Sequence, residues 1–449
     1  MLATTASRSA LFLRDLNHEP IEIVRGSGVH LYDTHGRRYL DAASGAAVAS
    51  LGHGNAEIAA TLAEQAQRLA FAHPSKFVTP WARELADKLV ARAPEGLTRV
   101  LLTSGGSEST ETAVKLARQY HLAHGKPTKY KVVSRRTSYH GATLGALTWS
   151  GQVARREPFA PMLMGQPQIS APDHYRGSQA PVEEFEAEKA LELEAAILAE
   201  GPENVAAFIA EPISGSSIPG LAPGAGYWRA IRETCDRYDV VFIADEVMSG
   251  NGRSGRWWAM QHAGVAPDMI ATAKGIGAGY TPLGAVLVQE RFEEQLRGFP
   301  GNFRHGHTYA GNPLSCAVGS KVIDLIEAGD LLANVRARGE QLKRRLEEEL
   351  GGHPNVGTVR GRGLLLGVEF VADAATKEPF PPELDVRGRF SRACLARGVY
   401  TYQGGGSVDG RRGDHTLLAP PFIITAEQVE ELVSCMAEAL RDVVRELEA

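Results

Sequence analysis

The 449-residue sequence predicts an α/β fold, a mostly parallel central sheet with helices on both faces, together with a smaller α+β domain. Three observations carry this. Between Arg99 and Ile270 short apolar runs alternate with helical segments, the pattern of parallel strands joined by right-handed crossovers. The polar residues of interest in that region, Ser104, Glu211, Asp245 and Lys274, all stand where an apolar run ends, and ligands of such sheets bind at the carboxyl ends of the strands. After about Ser315 the pattern changes to long helices around an apparent antiparallel pair. The expected division is residues 1–70 as an N-terminal segment contributing to the small domain, 71–315 as the large domain and 316–449 as the C-terminal part of the small domain.

Taken in order, VRGSGVHLYDTHGRRYLDA (from Val24) reads as two strands joined by an Asp-Thr-His-Gly turn. SLGHGNAEIAATLAEQAQRL opens a helix, and Trp81 to Ala93 repeats its spacing. In the alternating region RVLLT precedes the helical SGGSESTETAVKLARQY, YKVVSR precedes YHGATLGAL, and VAAFIAEP precedes YWRAIRETCDRY and VVFIADEV. The acidic Ala180 to Glu200 stretch reads as a solvated helix face. Beyond Ser315, helices over Ala317–Ile326 and Leu331–Leu350 lead into NVGTVRGRGLLLGVEFV, an antiparallel pair. Val429, Leu432, Val433, Met436, Leu440, Val443, Val444 and Leu447 then mark a final amphipathic helix.

A formal net charge of −5 and 43% hydrophobic residues predict neither nucleic acid nor a membrane as partner. The opening MLATTASRSALFLRDLNHEP lacks the pattern of a secretory signal. Four scattered cysteines without a CxxC pair predict no disulfide framework and fit a reducing cytoplasm. His121 with His124, and His305 with His307, lack further ligands at suitable spacing, so no metal is expected.

The stretch PDMIATAKGIGAGYTPLGAVLV carries the central candidate. Lys274 ends an apolar run, where desolvation favours the neutral amine that a Schiff-base lysine requires; a lysine snorkelling to solvent fits the same pattern. In TSGGSESTETAVKLAR, Gly106 and Ser107 open a helix after a strand, a cradle for phosphate or an ordinary capped turn. No Walker loop and no GxGxxG occurs. Asp245 and Glu246 close a strongly apolar run, and a carboxylate there needs a partner such as a protonated ring nitrogen. Glu211 has the same position on another strand. Tyr139 offers a ring that can stack on a flat heterocycle. Thr308, in GHTYAGNP, offers a hydroxyl in a turn-rich segment. Cradle, stacking ring, strand-end acid and strand-end lysine are together the groups that pyridoxal phosphate requires.

On LDAASG, LGHG, SGGSES, YHGATLGA, EPISG, IADEVMSGNGRSG, PDMIATAKGIGAGYTPLGAV, GHTYAGNPLSCA and LLAPPFIIT the chain resembles the class III (ω-amino acid type) aminotransferases, fold-type I pyridoxal phosphate enzymes. These motifs run from about Asp33 to Thr425. The resemblance implies Lys274 as Schiff-base lysine, Asp245 as partner of the pyridine nitrogen, and Gly106 and Ser107 as phosphate cradle. It further implies Tyr139 and Val247 on opposite faces of the ring, Glu211 near the 3′-oxygen, and Thr308 reaching the phosphate of a neighbouring subunit. The last implies a homodimer with shared active sites and leaves a tetramer open. The reaction implied is ping-pong transfer of an amino group from an amine or amino acid to a keto acid. Aminomutase and dialkylglycine-type decarboxylase chemistry run on the same scaffold. A non-catalytic binding protein would be expected to lack Lys274 or Asp245.

For the substrate, relatives acting on ornithine or γ-aminobutyrate pair a glutamate after the EP motif with an arginine before the APP motif. Ser216 and Leu417 stand there instead, which favours pyruvate over α-ketoglutarate. Arg411, or its neighbour Arg412, falls where ω-amino acid:pyruvate enzymes place a mobile carboxylate-binding arginine. Ala47, where many relatives carry an aromatic residue, predicts a roomier substrate pocket unless Phe77 or Trp81 refills it.

Overall fold

The computed structural model describes residues 10–16, 19–177 and 179–448; the rest of the stretch read for a leader lies outside the described residues. The chain opens with β1 (Ile23–Ser27), β2 (His30–Asp33) and β3 (Arg38–Asp41), three strands where the sequence reading has two. The additional turn is at Gly28, whose φ of +57° lets the chain reverse between β1 and β2. The expected turn follows β2, where Asp33 Oδ1 accepts the N–H groups of His35 and Arg37 at 2.9 Å each.

The central sheet contains β4 (Leu97–Thr103), β5 (Lys131–Arg135), β6 (Gln168–Ile169), β7 (Val205–Ala210), β8 (Val241–Asp245), β9 (Met269–Thr272) and β10 (Gly284–Gln289). Their spatial order is β4-β10-β9-β8-β7-β5-β6. The pairs from β9 through to β6 are parallel, while β10 runs antiparallel to both β9 and β4. The segment between β9 and β10 holds no full crossover helix, so the chain reverses direction there instead of returning to the same end. The carboxyl ends of β4, β5, β7, β8 and β9 therefore share one edge, and β10 starts from it.

Alternation fills both faces. Phe208, Phe242, Ala244, Ile270 and Leu287 join Leu193, Ile197, Trp228 and Ile231 on one side. Ile209, Val241, Ile243, Met269 and Val286 join Ala113, Leu116 and Ala117 of helix Gly106–Ala123 on the other. These are the two faces of strands buried on both sides.

The C-terminal part contributes β11 (Val356–Arg362), β12 (Leu365–Phe370), β13 (Val399–Tyr400), β14 (Tyr402–Gly405) and β15 (Asp414–Leu418). Four of these form an antiparallel sheet in the order β11-β12-β15-β14, and β13 adds to the N-terminal sheet in parallel with β3. One core joins Val29, Leu40 and Ile58 to Leu342, Leu346, Phe370, Met436 and Leu440. The two ends of the chain thus share a core, separate from those flanking the central sheet.

Candidate active site

A cavity of about 260 Å³ opens at the shared edge of the central sheet, lined by Gly106, Ser107, Tyr139, His140, Glu211, Asp245, Val247 and Lys274 among others. This is near the lower end of volumes typical of small-molecule sites. Each side chain arrives there because its strand stops there. Ser104 follows β4, Tyr139 lies beyond β5, Glu211 follows β7, Asp245 ends β8 and Lys274 follows β9 by two residues.

Lys274 sits in a left-handed conformation, φ +51°, which costs a residue with a Cβ about 1–2 kcal/mol. The surrounding turn holds it there. Asn251 Nδ2 donates to Thr272 Oγ1 at 2.7 Å and to the Ala273 carbonyl at 3.2 Å, and Ser50 Oγ donates to the Gly275 carbonyl. Strain retained by several anchors is characteristic of functional positions. Burial pushes the Lys274 ammonium down to about 8; Asp245 and Glu211 oppose this, and the cations Arg155 and Arg253 add to it.

Asp245 and Glu246, indistinguishable in sequence, separate by direction. Asp245 lines the cavity. Its Oδ2 lies 2.7 Å from His140 Nδ1, and its Oδ1 accepts the Val247 N–H at 3.1 Å. Glu246 points into the protein, accepting the N–H groups of Ala259 and Met260 at 2.9 Å each and the Ser249 hydroxyl at 2.7 Å. Burial pushes its carboxyl up to about 7. Glu211 is also buried and raised, chiefly by desolvation. Its Oε1 accepts the Gly215 N–H at 3.2 Å, while Oε2 is buried without a partner. His140 Nε2 is likewise buried and unpartnered.

At the other end, helix Gly106–Ala123 begins from Gly105, which is extended at φ −177°. The first N–H groups of a helix have no intrahelical acceptor and form an anion-binding end. Ser107 Oγ accepts the Ala142 N–H at 3.0 Å, tying the cradle to the Tyr139–Gly141 segment. A Cβ on Gly106 would stand 2.9 Å from Val247 Cγ1, so the absence of a side chain lets the cradle and Val247 approach.

Three predicted residues lie elsewhere. Thr308 is exposed and does not line the cavity of its own chain. Arg411 is exposed and makes a two-pronged ion pair with Glu157, at 2.8 and 3.0 Å. Its neighbour Arg412 pairs with Asp409 at 2.8 Å. Ala47 is buried with Ile213, Leu417 and Ala419, and Val48 lines the cavity instead. The sequence reading missed His140 as Asp245's partner; its signal was a histidine directly after the strand-end Tyr139. It also missed Val48, Ile213, Met248 and Leu283, whose apolar character is shared with core residues. Among the described residues no group of three or more His, Cys, Asp or Glu is placed to hold a metal ion, and no helix is long and apolar enough to cross a membrane.

Comparison with known proteins gives a match of residues 13–440 to the family model described as aminotransferase class-III. An uncharacterized aminotransferase of Schizosaccharomyces pombe is 39% identical, over 98% of this chain and 96% of its own length. A thermostable (S)-enantioselective ω-transaminase from Thermomicrobium roseum superposes with a TM-score of 0.89 at 40% identity, covering 94% of this chain and 93% of that one. The ω-transaminase of Pseudomonas jessenii, solved in complex with PMP, superposes with a TM-score of 0.88 at 33% identity, covering 95% and 93%.

Proposed function

The chain belongs to the class-III aminotransferase family and is an aminotransferase, and from that premise we propose that it uses pyridoxal phosphate in the cavity at the sheet edge to move an amino group from an amine or amino acid to a keto acid, pyruvate in preference to α-ketoglutarate. The observation that carries this is the meeting of helix N-terminus, Tyr139, Asp245, Glu211 and Lys274 in one cavity. The residues fit the group. Glu211 Oε2 is a buried acceptor awaiting a donor, and Asp245 is a buried acid facing the cavity.

In this reading Gly106 and Ser107 would hold the phosphate, Tyr139 and Val247 would face the ring, Asp245 would hold a proton on the ring nitrogen, and Glu211 would accept from the ring's oxygen. When bound, the cofactor supplies an aldehyde that condenses with amines and a protonated ring that withdraws electrons from the substrate carbon. Lys274 would attach the cofactor and, as a free amine, would serve as the base that takes a proton from the substrate carbon. Its depressed proton affinity makes the neutral amine available near neutral pH. His140, through its contact with Asp245, fixes the direction of that carboxylate.

The preference for pyruvate is supported at the two gate positions. Leu417 is fully buried in β15 and Ser216 is buried with its hydroxyl unpartnered, so no charged pair stands there for a second carboxylate. A shared-site homodimer is supported by exposed Thr308 and by the exposed apolar side chains Phe77, Val78 and Tyr309. The division at residues 70/71 and 315/316 belongs to the same reading, with the cofactor held by the middle unit. Four free buried cysteines fit the cytoplasm.

The test is chemical. Purified protein should be yellow, and borohydride should fix the cofactor to the peptide containing Lys274. A donor panel with pyruvate and α-ketoglutarate as acceptors should yield keto product without carbon dioxide. Colourless protein that takes up no pyridoxal phosphate refutes the reading; carbon dioxide release would move it to the decarboxylases.

A further inference from the structure

A cation that neither the sequence motifs nor the family assignment singles out stands against Tyr139, one of the residues lining the cavity. Arg155 lies in the short helix Val153–Arg156, half-buried, with its guanidinium carbon 4.5 Å from the centre of the Tyr139 ring. Among the described residues no carboxylate pairs with its guanidinium and no side-chain hydrogen bond holds it. Its helix neighbour Arg156 is also without a side-chain partner, its Nε buried, but the ring contact with cavity-lining Tyr139 belongs to Arg155, and the other arginines nearby are held. Arg135 donates to the Glu211 carbonyl at 2.6 Å, Arg253 donates to the carbonyls of Leu364 and Pro420, and Arg411 and Arg412 are paired with acids. A single ring contact is worth about 0.5–1 kcal/mol at an exposed site and does little to satisfy five N–H donors.

The backbone carrying Arg155 is fastened on both sides. The N–H groups of Gly151 and Gln152 donate to the Ser138 carbonyl at 2.9 and 3.2 Å, next to Tyr139 itself. On the far side the Ala154 N–H donates to the Gly410 carbonyl at 3.3 Å, and Glu157 receives Arg411. Gly410 has φ +81°, and a Cβ there would lie 2.7 Å from Val153 Cγ2. The loop bearing Arg411 is therefore packed directly on the segment bearing Arg155.

We propose that Arg155 is the anchor for the substrate carboxylate in the keto acid half-reaction, and that Arg411, through Glu157, is a positioning residue for the Arg155 segment. This rests on the aminotransferase reading for the identity of the substrate. The ligand class is a monocarboxylate whose reacting carbon lies close to the carboxyl group, because the guanidinium stands over a ring that lines the same cavity as Lys274. Its field reaches the amine: the Arg155 charge is one of those that hold the Lys274 proton affinity down. Guanidinium–carboxylate pairing is two-pronged and planar, which suits a 2-keto acid presented edge-on.

The experiment uses the holoenzyme and two readouts. In the first, KM is measured for pyruvate and for a neutral aldehyde acceptor. Arg155→Gln should raise KM for pyruvate by about tenfold or more, the range for losing a charge-assisted bond, and leave KM for the aldehyde unchanged. Arg155→Lys should restore part of the loss. Arg411→Gln and Glu157→Gln should give smaller effects equal to each other, since both break one pair. In the second, binding of propionate, which cannot react, is measured by calorimetry; Arg155→Gln should weaken it by the same factor. Unchanged pyruvate KM and propionate affinity in Arg155→Gln overturn the proposal and leave the aminotransferase reading standing. An equal loss with the aldehyde, or faster loss of pyridoxal phosphate, also overturns it, assigning Arg155 to packing or to the phosphate. If the protein takes up no pyridoxal phosphate the functional reading fails, and propionate binding still decides the role of Arg155.

Discussion

The proton affinity of Lys274 gives a quantitative prediction. The group is held at about 8 against an ordinary lysine value of 10.5, with burial as the leading cause. At pH 8 half of the amine is then neutral, against about 0.3% for an unperturbed lysine, an advantage of roughly 150-fold in reactive amine. The perturbation is a pH series on cofactor-free protein, and the assay is stopped-flow absorbance on mixing with pyridoxal phosphate. The uptake rate should rise about tenfold per pH unit below the midpoint and level off above about 8. The sign of each neighbour is fixed by its charge. Asp245 and Glu211 favour the ammonium, so Asp245→Asn should move the midpoint lower. Arg155 disfavours the ammonium, so Arg155→Gln should move it higher. A wild-type midpoint at 10 or above, or shifts of the opposite sign in the two variants, would refute the desolvated-lysine account.

Four further outcomes follow from individual contacts. His140→Phe leaves Asp245 with the Val247 N–H among its described protein partners; loss of a buried hydrogen-bond partner costs about 1–3 kcal/mol, which urea unfolding should register. Gly141→Ala drives a Cβ into Ser107 Oγ at a φ of +143°, so the cradle shifts; dissociation of pyridoxal phosphate should quicken about tenfold, a loss of roughly 1.4 kcal/mol, with the circular dichroism spectrum retained. Ala47→Trp forces a bulky side chain into a buried position at φ +59° and should lower Tm, overpacking alone being worth about 1–3 kcal/mol. Val48→Phe, at the cavity wall, should instead keep Tm and raise KM for bulky donors relative to small ones.

Ala47 marks a limit of reading position from sequence. A small residue in SGAAV predicts space over the substrate, yet the backbone of this segment leaves ordinary geometry, with Ser44, Gly45 and Ala47 all at positive φ. That twist turns Ala47 into the core beside Leu417 and presents Val48 to the cavity. No local pattern announces it. The third N-terminal strand was hidden for a related reason: a single left-handed Gly28 makes a turn that period-two alternation cannot reveal. By contrast the strands β5 and β7 through β10 were readable as apolar runs, because residues buried on both faces leave continuous runs whose ends show where the first charged or small residue appears. Two-residue β6 (Gln168–Ile169) at the sheet edge leaves no such run and was missed.

This contrast explains why chemistry was legible and specificity was not. A strand end fixes a side chain's position through local burial, so Lys274 and the Asp245–Glu246 pair could be placed at strand ends from their neighbours in sequence, while the choice of Asp245 over Glu246 needed their directions. Arg155 and Arg411 are surface-type residues on connecting segments, and only the packing of residues 406–413 against 151–157 distinguishes them. There Glu157 satisfies Arg411 while Arg155 is left with an aromatic ring. In sequence the pairs Arg155–Arg156 and Arg411–Arg412 are equivalent, each two adjacent arginines in a polar stretch. In three dimensions the acid chosen by one leaves the other unpaired beside Tyr139. Recognition of a carboxylate should therefore follow the unpaired charge rather than the residue in the expected motif position, and replacing Glu157 by Gln, which frees Arg411 without touching the cavity wall, separates those two possibilities: a large gain in keto acid affinity would return the anchoring role to Arg411, whereas a modest loss matches a segment loosened beneath Arg155.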